Sequence, residues 1–238
     1  MMYKYNVEDI RKELSRLYMN KQFVVDKNGG KCIEIVSASF IADEPTIFGK
    51  LNEYIDRELE WYKSMSLNVY DIPKPVPQIW INVASPLGYI NSNYGWCIWS
   101  KDNNSQYDAC LSQLINDKDS RRATMIYMRP NMQTDYNKHG MSDFMCTFST
   151  QLLIRDNTLH YIVKMRSNDS IFGYKNDKAW HDYVHQLSLD DLKVHYPDLT
   201  LGDMHWAAGS LHVYEKHFNL LQHYIETGET FFSPFTKV

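Results

Sequence analysis

No apolar run in this chain approaches the roughly 18 residues that a membrane-crossing helix needs. The opening Met-Met-Tyr-Lys-Tyr-Asn-Val-Glu-Asp has no apolar stretch of the secretory kind, so neither a span nor a signal peptide is expected, and the expected location is the cytoplasm. The phosphate loop G-x-x-x-x-G-K-[ST] and the dinucleotide fingerprint G-x-G-x-x-G are both missing, which removes the sequence basis for nucleoside triphosphate or NAD binding. Cysteine is scarce: Cys32, Cys97, Cys110 and Cys146 are the four, and no two are spaced C-x-x-C. Zinc and thioredoxin-like readings lose their support. With 238 residues and 44% hydrophobic side chains the chain can bury a real core, so the cysteines are expected as reduced thiols. A net charge of -4 argues against a general nucleic-acid or membrane-surface binder. A small anionic ligand would have to be met by a local basic cluster.

Repeats, low-complexity stretches and linkers are also absent, so residues 1–238 read as one domain. Val7, Ile10, Leu14 and Leu17 recur at helical spacing, as do Ile47, Phe48, Leu51, Tyr54, Ile55, Leu59 and Tyr62. The patterns predict an N-terminal helix and a second helix over 45–64. Asn28-Gly29-Gly30 marks a turn between two short apolar runs. Pro73, Pro75 and Pro77 mark a loop before Ile79-Trp80. A helix is predicted over 107–116, strands over 123–129, 144–154 and 159–166, with a turn at Arg155-Asp156-Asn157. A helix over 177–192, a strand within 204–214 and a last helix from Tyr214 to Thr227 complete the chain. Strands and helices without strict alternation point to an α+β fold.

Several residues carry chemistry. A thiolate such as that of Cys146 can add to an electrophilic ring, although an isolated strand cysteine is ordinarily a small core residue. Arg121-Arg122 and Arg166 offer the fork geometry that suits a phosphate dianion, yet an arginine pair is usually a solvated face. Asp177 can cap a helix, or it can pair with a base. His181 and His185 stand four apart on a predicted helix, but no third ligand is evident and no metal is expected.

Taken together these residues form a pattern. Cys146, then Arg166-Ser167-x-Asp169-x-x-x-Gly173-x-x-x-Asp177, resembles the signature of the thymidylate synthase family, a nucleophilic cysteine followed by Arg-Ser-x-Asp-x-x-x-Gly-x-x-x-Asn. The resemblance runs from about Val25 to His217 and implies a single domain of that family, a mixed twisted sheet flanked by helices. It implies that Cys146 attacks C6 of a pyrimidine and that Arg166 and Ser167 bind the nucleotide. Asp119-Ser120-Arg121-Arg122 is similar to the family's Asp-Ser-Arg-Arg, implying a homodimer in which the arginines reach the partner's phosphate. Lys27 stands where the synthases have another phosphate-binding arginine. His212-x-Tyr214 matches the pair that holds the deoxyribose, and Glu58 in Glu-Leu-Glu-Trp-Tyr matches the glutamate that orders water near the base. Asn93-Tyr94-Gly95-Trp96 resembles the family's Tyr-Gly-x-x-Trp, which makes Tyr94 a proton-relay candidate. Ile79, Trp80, Asp169, Phe172 and Gly173 match folate contacts, which implies 5,10-methylenetetrahydrofolate as one-carbon donor; Asp169 counts with the substrate contacts too.

The family's amide is a carboxylate here. Uracil offers O4 as acceptor and N3–H as donor, which an amide matches; cytosine offers N3 as acceptor and an amino donor. A protonated Asp177 complements cytosine, and an ionised one complements cytosine protonated at N3. Met145-Cys146-Thr147 replaces Pro-Cys-His, Lys175-Asn176-Asp177 replaces Pro-Phe-Asn, and the closing Ser-Pro-Phe-Thr-Lys-Val differs from the synthases' tail. These departures fit the hydroxymethylase branch, where water rather than hydride completes transfer to C5 of deoxycytidylate. The expected product is a precursor of modified phage DNA, made in the host cytoplasm, with other nucleotide-synthesis enzymes as possible partners. The alternatives are a thymidylate synthase or deoxyuridylate hydroxymethylase with an unusual selector, and a non-catalytic nucleotide- or folate-binding subunit.

Overall fold

Asn6 starts the first helix. Its side chain accepts the Asp9 N–H at 3.0 Å and the Asp9 carboxylate accepts the Asn6 N–H at 3.1 Å, a reciprocal capping box. The computed structural model describes residues 4–25 and 29–232. Its helices are α1 (Val7–Met19), α2 (Tyr54–Ser64), α3 (Gln78–Val83), α4 (Tyr94–Trp99), α5 (Gln106–Asn116), α6 (Met132–Asp135), α7 (Gly173–Lys193) and α8 (Phe218–Thr227). The strands are β1 (Val24–Val25), β2 (Lys31–Ile41), β3 (Thr124–Ile126), β4 (Thr147–Arg155), β5 (Thr158–Asp169) and β6 (Thr200–Tyr214).

The strands form one six-stranded sheet in the order β1-β2-β6-β5-β4-β3. Strands β1 and β2, β2 and β6, and β3 and β4 pair antiparallel. A Cβ on Gly202 would meet the Leu159 carbonyl at 2.9 Å and one on Gly209 the Arg166 carbonyl at 2.8 Å. The partners advance together, so β5 and β6 run parallel and the sheet is mixed. Asp156 and Asn157 have φ of 48° and 57°, the left-handed pair that a tight two-residue hairpin needs. The fold is α+β, as the pattern of elements suggested.

The chain divides into two compact units. One takes in the chain up to Asn52, Met165–His181 and the segment from Asp203 on; the other is Glu53–Lys164 with Asp182–Gly202. The first buries Ile33, Phe40, Tyr174, Trp180, Trp206 and Leu211; the second buries Trp61, Ile98, Tyr127, Leu152 and Tyr161.

Two expectations need correction. The helix proposed over 45–64 begins only at Tyr54. Gly49 has φ +82°, which a right-handed helix excludes. The carbonyls of Thr46 and Ile47 are taken by the Arg11 guanidinium at 2.8 and 2.7 Å. Ile47 and Phe48 are fully buried all the same, so their spacing reported burial rather than helix. The helix proposed over 177–192 starts four residues earlier, at Gly173. The Asp169 carboxylate accepts the N–H groups of Ile171 and Phe172, both at 3.1 Å, and so supplies the turn that leads into it. Ile79-Trp80 lies on α3 and Tyr94 opens α4, where Asn93 accepts the Trp96 N–H at 2.8 Å.

Candidate active site

In the second unit the site is built on α2. Glu58 is buried, and its Oε1 accepts the Tyr54 hydroxyl at 2.6 Å and the Trp80 indole N–H at 3.2 Å. That indole N–H also lies against the Tyr54 oxygen. Burial pushes the Glu58 carboxyl up to about 7, against the pull of hydrogen bonds from Tyr54, Trp80 and Tyr62. Burial and the neighbouring carboxylate push the Tyr54 phenol upward too, so Tyr54 keeps its proton and donates. A glutamate poised near neutrality can both take and give a proton.

Tyr94 is buried, stacked on Tyr62 at 5.0 Å and edge-on to Tyr127 at 5.4 Å. A Cβ on Gly95 would stand 1.8 Å from the Tyr62 carbonyl, so only glycine permits this approach of α4 to α2. Cys146 precedes β4, between buried Met145 and Thr147, and its Sγ lies 3.9 Å from the Phe144 carbonyl. It is partly exposed, whereas Cys32, Cys97 and Cys110 are buried. Burial pushes the Cys97 and Cys110 thiols up to about 12, which suits inert core groups. Arg121 and Arg122 are exposed ahead of β3. Ile79 and Ile81 on α3 are 64% and 39% exposed.

The first unit holds the rest. Arg166 is exposed and Ser167 half-buried near the end of β5. Asp177 lies in the fifth position of α7, so it does not cap that helix. Its Oδ2 accepts the Asn168 side-chain N–H at 2.7 Å. Asp169 is committed to the turn before α7, and Phe172 beyond it is 47% exposed, 5.2 Å from the His217 ring. A Cβ on Gly173 would stand 3.3 Å from Asn168 Nδ2 and 3.8 Å from Asp177 Oδ2. His212 and Tyr214 share a face of β6, with rings 4.8 Å apart. Burial lowers the His212 imidazole from its ordinary value, so it acts as a neutral hydrogen-bonding group. Lys27, Asn28 of the expected turn and the closing Ser-Pro-Phe-Thr-Lys-Val lie outside the described residues.

Two histidines weighed as ligands are packing groups: His181 sits edge-on to Trp206 at 5.6 Å, and His185 Nε2 is 2.8 Å from the Leu159 carbonyl. Two contributors escaped the sequence reading. Tyr54 stands four residues before Glu58, a spacing that puts both on one helical face. Asn168 sits at the variable position of the signature.

Residues 50–235 match the family model described as thymidylate synthase. The chain is 58% identical over 227 residues to the deoxycytidylate 5-hydroxymethyltransferase of Enterobacteria phage T6, covering 94% of this chain and 92% of that protein. It is 57% identical over 232 residues to the protein of that name from Enterobacteria phage T4, covering 95% and 94%. Identity to the thymidylate synthase of Bacillus subtilis subsp. natto is 26% over 185 residues, 75% of this chain and 62% of that one. With the cysteine, the arginine–serine pair and the glycine of the signature all present in order, and a match across most of its length, the chain belongs to the thymidylate synthase family.

Proposed function

We propose that this protein hydroxymethylates C5 of deoxycytidylate. The observation that carries the reading is Asp177, a carboxylate where the family's uracil-directed members have an amide. The identity to the T-even phage hydroxymethyltransferases, about twice that to a bacterial synthase, supports it.

Cys146 adds as thiolate to C6, and the electron pair moves to C5. Asp177 holds N3 and the 4-amino group, which stabilises charge developing on the ring. Arg166 and Ser167 hold the phosphate with Lys27, and His212 and Tyr214 hold the deoxyribose. Methylenetetrahydrofolate, when bound, would supply the one-carbon unit to C5; loss of the C5 proton with departure of tetrahydrofolate then leaves a methylene on C5. Ile79, Trp80, Asp169, Phe172 and Gly173 offer its walls and anchors. Water then adds to the methylene on C5, with Glu58 taking its proton and Tyr94 relaying protons near the base. The Cys146 thiolate departs from C6, restoring the ring double bond. Residues 1–238 act as one domain, and in a homodimer Arg121 and Arg122 reach the partner's phosphate site. Other nucleotide-synthesis enzymes are natural partners for such an activity.

Release of tritium from 5-tritiated dCMP and dUMP, each with methylenetetrahydrofolate, tests the reading when the products are weighed. Release from dCMP with a hydroxymethyl product supports it. A methyl product with dihydrofolate, or preference for dUMP, would instead indicate a synthase. Release from neither would leave a binding subunit.

A further inference from the structure

We infer that Asn168 is a positioning residue that fixes the donor and acceptor order of the Asp177 carboxyl, and so helps the site choose cytosine over uracil. This rests on the proposed role of Asp177 as the base-pairing group. The side-chain amide of Asn168 is 2% exposed and donates to Asp177 Oδ2 at 2.7 Å. An amide N–H facing Oδ2 makes that oxygen an acceptor and drives any carboxyl proton to Oδ1. Cytosine requires this order. Oδ2 accepts from the 4-amino group in either protonation state, while Oδ1 donates to N3 or accepts from protonated N3. Uracil requires the reverse, a proton on the oxygen that meets O4, and the Asn168 N–H opposes it there.

Two further observations favour this role over a purely structural one. Asn168 Oδ1 is buried and has no hydrogen-bond partner among the described residues. An unpaired buried acceptor costs about 1–3 kcal/mol, so stability alone does not account for asparagine here. Gly173 leaves the space over the pair, since its Cβ would press to 3.3 Å on Asn168 Nδ2. The Asn168–Asp177 contact thus occupies a gap that the signature glycine keeps open.

The test compares kcat/KM for dCMP and dUMP in the wild type, Asn168→Ala, Asn168→Asp and Asp177→Asn. The two Asn168 variants remove the donor with and without a change of shape. Each should lower the dCMP-to-dUMP ratio by roughly tenfold, the worth of one charge-assisted hydrogen bond. A loss of folded protein lowers both substrates alike and leaves the ratio in place. An unchanged ratio in both Asn168 variants, with a shifted ratio in Asp177→Asn, would overturn the role of Asn168 and spare that of Asp177. An unchanged ratio in Asp177→Asn would remove the selector, and the inference with it.

Discussion

Replacing Glu58 by glutamine should make the protein more stable and much less active, and the stability gain should depend on pH in a defined way. Burial raises the Glu58 carboxyl from 4.5 to about 7. The fold therefore favours the protonated form. Its contribution is present in full below pH 4.5, is lost as pH rises to about 7, and stays lost above that. At 1.36 kcal/mol per unit the loss amounts to about 3 kcal/mol. Glutamine keeps an oxygen for the Tyr54 and Trp80 donors and never ionises. Urea unfolding at about pH 8 should show Glu58→Gln more stable than wild type by about 3 kcal/mol, shrinking toward zero at about pH 4. Turnover should fall by about 10²–10⁴, the usual worth of a general acid–base group. A stability difference that does not change with pH would refute the buried, near-neutral carboxyl. Full activity would refute its role in proton transfer.

Tyr54→Phe removes a donor that lowers the Glu58 value, so the acidic limb of the kcat–pH profile should move to higher pH. An unmoved limb would mean that Tyr54 does not act on Glu58. Gly95→Ala drives a methyl group into the Tyr62 carbonyl, 1.8 Å from the ideal Cβ. It should cost roughly 3 kcal/mol or more, read from the urea midpoint. Changing Arg121 and Arg122 together to alanine should raise KM for dCMP by tenfold or more, given about 1.5–3 kcal/mol per hydrogen bond to a charged group. Mixing that weak-binding variant with the inactive Cys146→Ser under subunit exchange should restore a low KM, because a mixed dimer then has one complete site. No restoration would mean that each subunit binds phosphate with its own arginines.

Most strands and the helices α1, α5 and α8 were legible because their apolar residues follow one period and face one side. The segment 45–53 was not. Its apolar residues are buried in a loop pinned by Arg11, a contact between residues far apart in sequence. The start of α7 was hidden because Asp169, read as a ligand contact, also makes the turn before the helix. The site was legible as a set of residue types at family spacing, with Cys146 and the segment Arg166 to Asp177 carrying most of it. What those types omit is the environment. Nothing in Glu-Leu-Glu-Trp-Tyr says that Glu58 is buried, and nothing in Arg-Ser-Asn-Asp says that the asparagine holds Asp177. Both depend on packing partners, Trp80 for the first and Gly173 for the second.

The central claim is that Cys146 attacks the ring of a cytosine nucleotide. The most direct measurement incubates the protein with 5-fluoro-dCMP and methylenetetrahydrofolate, digests it and weighs the peptide that contains Cys146. Fluorine at C5 cannot leave as a proton does, so the covalent complex should accumulate. A mass increase on that peptide equal to the nucleotide plus the folate, absent in Cys146→Ser, is the expected result. An unmodified peptide, or an adduct that forms only with the uracil analogue, would contradict the claim.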